Sequence, residues 1–171
     1  MVYILLALAA LSRLLPHPPN FTPIAAMALF GAAVLPRRGP ALVLPLVALF
    51  LSDIVLGFYS PALMASVYGA TLLVGVLGLL LARKSRSSAV GIAGAGLTGS
   101  VLFFALTNGV CWWTGYPHTA GGLAACYTLA LPFFRNEAAG TLVYSVLLFG
   151  GLALTERLHG ATRGRRTAGA G

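Results

Sequence analysis

Few residues in this chain could do chemistry, and their positions are telling. The 171 residues hold three acids, Asp53, Glu137 and Glu156, against eleven lysines and arginines and three histidines. No two carboxylates stand close together, and neither H-E-x-x-H nor G-x-S-x-G occurs. Cys111 precedes His118 by seven residues, a conceivable nucleophile and base, but nearness in sequence says little about geometry. Cys111 and Cys126 are too few for a disulfide framework and lack metal-ligand spacing. Gly94 to Gly99 reads formally as G-x-G-x-x-G, yet no strand precedes it and no acid follows some twenty residues on. The reading is therefore not an enzyme, with no cofactor and no metal. What remains is recognition: arginines, histidines, an isolated aspartate and aromatic side chains able to hold a polar solute.

These groups must be carried by apolar elements. The chain is 58% hydrophobic and 8% charged, with mean hydropathy +0.91, whereas a soluble domain carries about 25% charged residues. Such a chain is an integral membrane protein with no room for a separate soluble domain. The net charge of +8 does not argue for nucleic acid, because the basic residues sit in short runs between apolar segments. The opening MVYILLALAALS resembles a secretory signal but lacks a positive start, so it is read as an uncleaved first helix.

Arg13 to Gly31 organises the rest. Pro16, Pro18, Pro19 and Pro23 forbid one continuous helix there. Asn20 or Thr22 is expected to cap a new helix with Pro23 in its first turn. Helices are expected over residues 2–15, 21–35, 41–58, 62–82, 89–108 and 136–155. The first is short for a ~30 Å hydrocarbon core. Asn108 to Gly122 is read as an irregular stretch. The apolar run 123–134 suits a re-entrant or interfacial helix, and Asn136 is expected to cap the last span, with Glu137 at its positive end. Gly91, Ala95 and Gly99 fall on one helix face as a close-packing seam. The expected fold is all-α, six transmembrane helices with a short re-entrant or interfacial helix before the last. One domain covers 1–156, and 157–171 form a basic disordered cytoplasmic tail.

Charge orients this plan. Nine of the eleven Lys/Arg residues fall in the loops at 37–38 and 83–86 and in the tail, all on one side if there are six spans. The positive-inside rule makes that side cytoplasmic. Arg13, His17, Asn20, Asp53, Tyr59, Asn108, Trp112, Trp113, Tyr116, His118, Arg135 and Glu137 then gather toward the outer face. Asp53 is read as the only acid within a span, so it should pair with Arg13 or Arg135. Such a pair could simply hold helices together, and the two tryptophans could form an aromatic belt.

The stretches PHPPNFTPIAAMALFGA, LPLVALFLSDIVLGFY, FFALTNGVCWW and YPHTAGGLAACYTLALPFFRN resemble an uncharacterised family of small bacterial membrane proteins over about residues 12–150. More loosely, NFTPIAAMALFG, a basic turn and then L-x-x-D resemble the substrate-binding S-components of energy-coupling-factor vitamin transporters. That resemblance implies six helices, cytoplasmic termini and an outer-face site for a vitamin-like solute. Tyr59, Trp112, Trp113 and Tyr116 would stack on it, and Arg13, His17, Asp53, His118 and Arg135 would fix its polar groups. S-components often dock an energy-coupling module through an A-x-x-x-A pair in helix 1. Here helix 1 has Ala7, Ala9 and Ala10, and the spacing occurs at Ala28 and Ala32 instead. The expected partners are the lipid bilayer, a small vitamin-like ligand and a coupling module, in a bacterial cytoplasmic membrane. The alternative is a structural or assembly protein in which the same residues only pair and pack.

Overall fold

The computed structural model describes residues 1–84 and 88–168, with the backbone alone described for 82–84 and 160–168. Residues 85–87 of the expected basic loop and 169–171 of the expected tail lie outside the described residues. Six helices follow in order: α1 (Val2–Ser12), α2 (Ile24–Val34), α3 (Arg38–Leu56), α4 (Pro61–Lys84), α5 (Ala89–Gly115) and α6 (Ala120–Ala168). The described residues contain no strand. Segments of α3, α4, α5 and α6 are long and apolar enough to cross a membrane. At 11 residues each, α1 and α2 reach only about 16 Å, half a hydrocarbon core.

α2 is the centre of the molecule. Every residue from Ile24 to Ala33 is buried. It is apolar all round, the pattern of a helix enclosed on every side. Small residues let its neighbours approach. At Gly78 of α4 a side chain would meet the Leu29 carbonyl and stand 2.9 Å from the Ala32 Cβ. Phe30 meets Phe149 of α6 edge to face at 5.0 Å. α1 runs antiparallel to α6, with Leu5 against Gly151 and the Ser12 and Tyr144 hydroxyls 2.9 Å apart. The expected α5 seam is tight at Gly99, where a Cβ would stand 3.2 Å from Val74 of α4, whereas Gly91 and Ala95 are only half-buried.

The structure corrects four boundaries. Neither Asn20 nor Thr22 caps α2; its N-cap is Pro23, with no side-chain cap bond. Asn20 instead takes φ +64° in a turn closed by Phe21 N donating to Pro18 O at 3.0 Å. Pro19 then Asn20 is the residue order that a type II turn favours. Second, residues 108–115 are not irregular but complete α5. Third, the expected short helix 123–134 is not separate, and Asn136 caps nothing: both lie inside α6, which continues through Pro132. One proline frees a single carbonyl, whereas ending the helix would strand many more backbone groups in an apolar medium. α6 also continues past Arg157, through the expected tail, to Ala168.

Candidate functional site

The segment between α1 and α2 is held in place from three sides. Arg13 donates through Nη1 to the Leu49 carbonyl at 3.3 Å and to Ser52 Oγ of α3. Its Nη2 lies 2.8 Å from Asp53 Oδ1. Asn136 Nδ2 of α6 donates to the Pro19 carbonyl at 3.0 Å. A glycine at 140 admits the elbow to α6, because a Cβ there would stand 3.1 Å from the Thr22 nitrogen. His17 closes the turn on itself, with Nε2 3.1 Å from Arg13 O and Nδ1 2.9 Å from Pro18 O.

Asp53 is 1% exposed and fully engaged, since Tyr68 OH donates to its Oδ2 at 3.1 Å. Pairing with Arg13 supplies the counter-charge that a buried carboxylate needs. The same pair anchors the elbow to α3.

A cavity of about 340 Å³ lies over the N-terminus of α2. Thr22, Ile24, Ala25 and Glu137 form its floor. Its walls are Leu49 of α3, Leu63 and Val67 of α4, and Phe103, Phe104, Phe133 and Phe134 of α5 and α6. Arg13 and Asn20 reach it from the elbow; Tyr59, Thr107, Asn108 and Cys111 line it toward the α3–α4 turn. Phe104 and Phe134 pack with centroids 4.9 Å apart. Burial, with the Asp53 charge adding, raises the Tyr59 phenol above its ordinary pKa.

Glu137 was expected at a helix start. It sits instead in the middle of α6, 6% exposed. Asp53 is thus not the only acid within an apolar span. Glu137 Oε1 accepts from Thr141 Oγ1 at 2.9 Å, but Oε2 has no hydrogen-bond partner. Ser100 of α5 stands near the carboxyl without a hydrogen bond of ordinary geometry to it.

Of the residues singled out in the sequence, Arg13, Asn20, Tyr59 and Asn108 line the cavity. Asp53 and His17 stand behind it, holding the elbow. Trp112, Trp113 and His118 gather elsewhere, at the α5–α6 turn. His118 stacks on Trp113 at 4.5 Å and its Nε2 lies 2.8 Å from Trp113 O, while Trp112 Nε1 donates to Pro117 O at 3.1 Å. Trp113 is 64% exposed. Tyr116 follows α5 in the same turn, and Arg135 is exposed on α6. No described hydrogen bond joins Cys111 to His118. The four phenylalanines escaped the sequence reading, which took Glu137 for a helix-start acid and not for a cavity residue. Two Phe-Phe pairs and an acid amid apolar residues were the available signals.

Residues 1–162 match the family model of DUF6580, a family of unknown function. The chain belongs to that family. No curated protein and no solved structure matches it. Membership in DUF6580 agrees with the uncharacterised family that the sequence motifs resemble.

Proposed function

We propose that this DUF6580 protein binds a small solute inside the bilayer, as a membrane-embedded binding or uptake protein of S-component type. The observation that carries this reading is the cavity over α2. It is mostly apolar and aromatic with a few placed polar groups, the make-up of small-molecule sites. A vitamin-sized solute suits its volume, and an energy-coupling module is the corresponding partner. Asp53 is fully engaged by Arg13 and Tyr68, and the tryptophans pack on His118, which favours structural roles for those residues. The cavity favours binding.

The topology that goes with this function keeps both termini at the cytoplasmic face of a bacterial membrane. α3 to α6 cross, and α1 and α2 form a re-entrant hairpin whose elbow lies toward the outer interface, beside Leu49, Ser52 and Asp53 of α3. Residues 14–16 and 18–20 of the elbow are exposed, and exposed irregular backbone belongs at the interface, where water can satisfy it. Replacing two full spans by a hairpin keeps the same parity, so the basic segments remain on one side. Reporter fusions at Gly171 and after Tyr116 should report opposite sides; same-side labelling overturns the arrangement.

Binding is tested by native mass spectrometry and thermal-shift screening of vitamin-sized solutes on protein in nanodiscs. A binder should raise the melting temperature saturably. Thr107→Trp, which fills the cavity from α5, should reduce that binding at least tenfold with little change in the unliganded melting temperature. A solute bound equally by Thr107→Trp, or no stabilising solute at all, defeats the reading.

A further inference from the structure

We propose that a groove at the C-terminal end of α2, opposite the cavity, holds an anionic phospholipid, with one acyl chain in the groove and the headgroup phosphate at Arg37 and Arg38. The groove begins where α2 stops. A residue ahead of proline is turned away from the helical region, and Leu35, before Pro36, is extended at φ −71° and ψ 138°. The chain therefore leaves α2 after Val34 and starts α3 at Arg38, while α4 runs on to Lys84. Between them lies a groove of about 330 Å³. Ala32 and Ala33 of α2 form its buried floor, and Val76, Leu79 and Leu80 of α4 form a wall. Leu35, Pro36 and Arg38 line it from the turn.

Two observations say what covers this groove. The first is that its wall is open and apolar, with Val76 and Leu80 at 44% and 49% exposed. They belong to a segment of α4 long and apolar enough to cross a membrane, so lipid chains are the medium around them. Lipid and protein are equally apolar there, so the groove by itself accepts any acyl chain and selects no lipid. The second observation is charge. Arg37 and Arg38 are exposed at the end of the groove. Among the described residues neither has an ion pair or a side-chain hydrogen bond; the ion pair described joins Arg13 to Asp53. Arg83 and Lys84 close α4 one turn beyond Leu80, which adds positive charge to the same end.

Charge then decides which lipid. A guanidinium meets a phosphate through two parallel N–H bonds. A zwitterionic headgroup carries its own cation beside the phosphate and gains little from further positive charge. A headgroup such as phosphatidylglycerol has no such cation, and its net negative charge is left for the arginines. Basic pockets between membrane helices hold anionic headgroups in this way, at about fivefold in affinity per Lys or Arg. A free phosphate would meet the arginines but leave the groove empty. An acyl chain alone would fill the groove but leave the arginines unpaired. The anionic phospholipid does both.

The test uses the full chain in nanodiscs of phosphatidylglycerol and phosphatidylcholine in equal amounts with the same acyl chains, and native mass spectrometry to count the lipids retained on the protein. Phosphatidylglycerol should be retained over phosphatidylcholine by about tenfold or more. Arg37→Gln with Arg38→Gln should remove most of that preference and leave the melting temperature unchanged, since both side chains are exposed. Val76→Trp, which fills the groove from α4, should lower phosphatidylglycerol retention about tenfold. A tail variant, Arg163→Gln with Arg165→Gln and Arg166→Gln, should retain the lipid like the parent. Glycerol 3-phosphate, a phosphate without acyl chains, should not displace it. If the arginine variant does not fold, Val76→Trp and the tail variant decide. Equal retention of the two lipids by the unaltered chain overturns the proposal. So does a preference that Val76→Trp leaves intact, one that the tail variant abolishes, or displacement by glycerol 3-phosphate.

Discussion

Asp53→Leu is expected to destabilise the protein by about 3–5 kcal/mol, the usual cost of stripping one partner from a buried ion pair. The substitution leaves the Arg13 guanidinium enclosed beside Leu49 and Ser52, with its Nε already without a hydrogen-bond partner. Tyr68 loses its acceptor as well. Arg13→Met should cost a similar amount, by leaving Asp53 charged and 1% exposed. The double variant Arg13→Met with Asp53→Leu removes both charges and keeps the volume apolar. It should recover most of the loss, because a buried pair replaced by packed hydrophobic side chains is often neutral. Melting in nanodiscs of the two single variants and the double variant forms a complete cycle. Additive losses in the double variant would mean that Arg13 and Asp53 do not act as a pair.

Gly78→Leu is expected to be the most disruptive glycine substitution on α4. The new Cβ would overlap the Leu29 carbonyl of α2 and stand 2.9 Å from the Ala32 Cβ. The obstructing oxygen is backbone and cannot rotate aside. α2 cannot retreat either, since it is buried from Ile24 to Ala33. Overpacking of this kind costs about 1–3 kcal/mol or more. Because α2 also presents the cavity floor, solute binding should fall with stability. Gly69 is the control on the same helix, since a Cβ there meets nothing within 4 Å. Gly69→Ala should be neutral or slightly stabilising, as glycine is a poor helix former. Equal melting of Gly78→Leu and Gly69→Ala would show that α2 and α4 are not in close contact.

Composition and local chemistry made much of this protein legible from the chain alone. An apolar sequence with so few charges must be helical in a bilayer, since each helix satisfies its own backbone hydrogen bonds. The prolines of 16–23 marked the elbow, because proline acts on the backbone wherever it stands. Asp53 had to find a cation, and Arg13 was one of two candidates on the right side. These conclusions need no knowledge of which helix neighbours which.

Tertiary structure decided the rest. In a membrane chain hydrophobicity no longer reports burial, because lipid and protein interior are equally apolar. Ile24–Val34 therefore reads like any other apolar segment, although it is the enclosed centre of the fold. Pro132 and Asn136 carry strong local signals for a helix boundary, and α6 overrides both. Trp112 and Trp113 looked like stacking residues for a ligand, yet they close on His118 at the far end of α5. Glu137 looked like a helix-end acid. Its buried, half-satisfied state follows only from the meeting of α2, α5 and α6, since a carboxylate's partners are set by which helices pack around it.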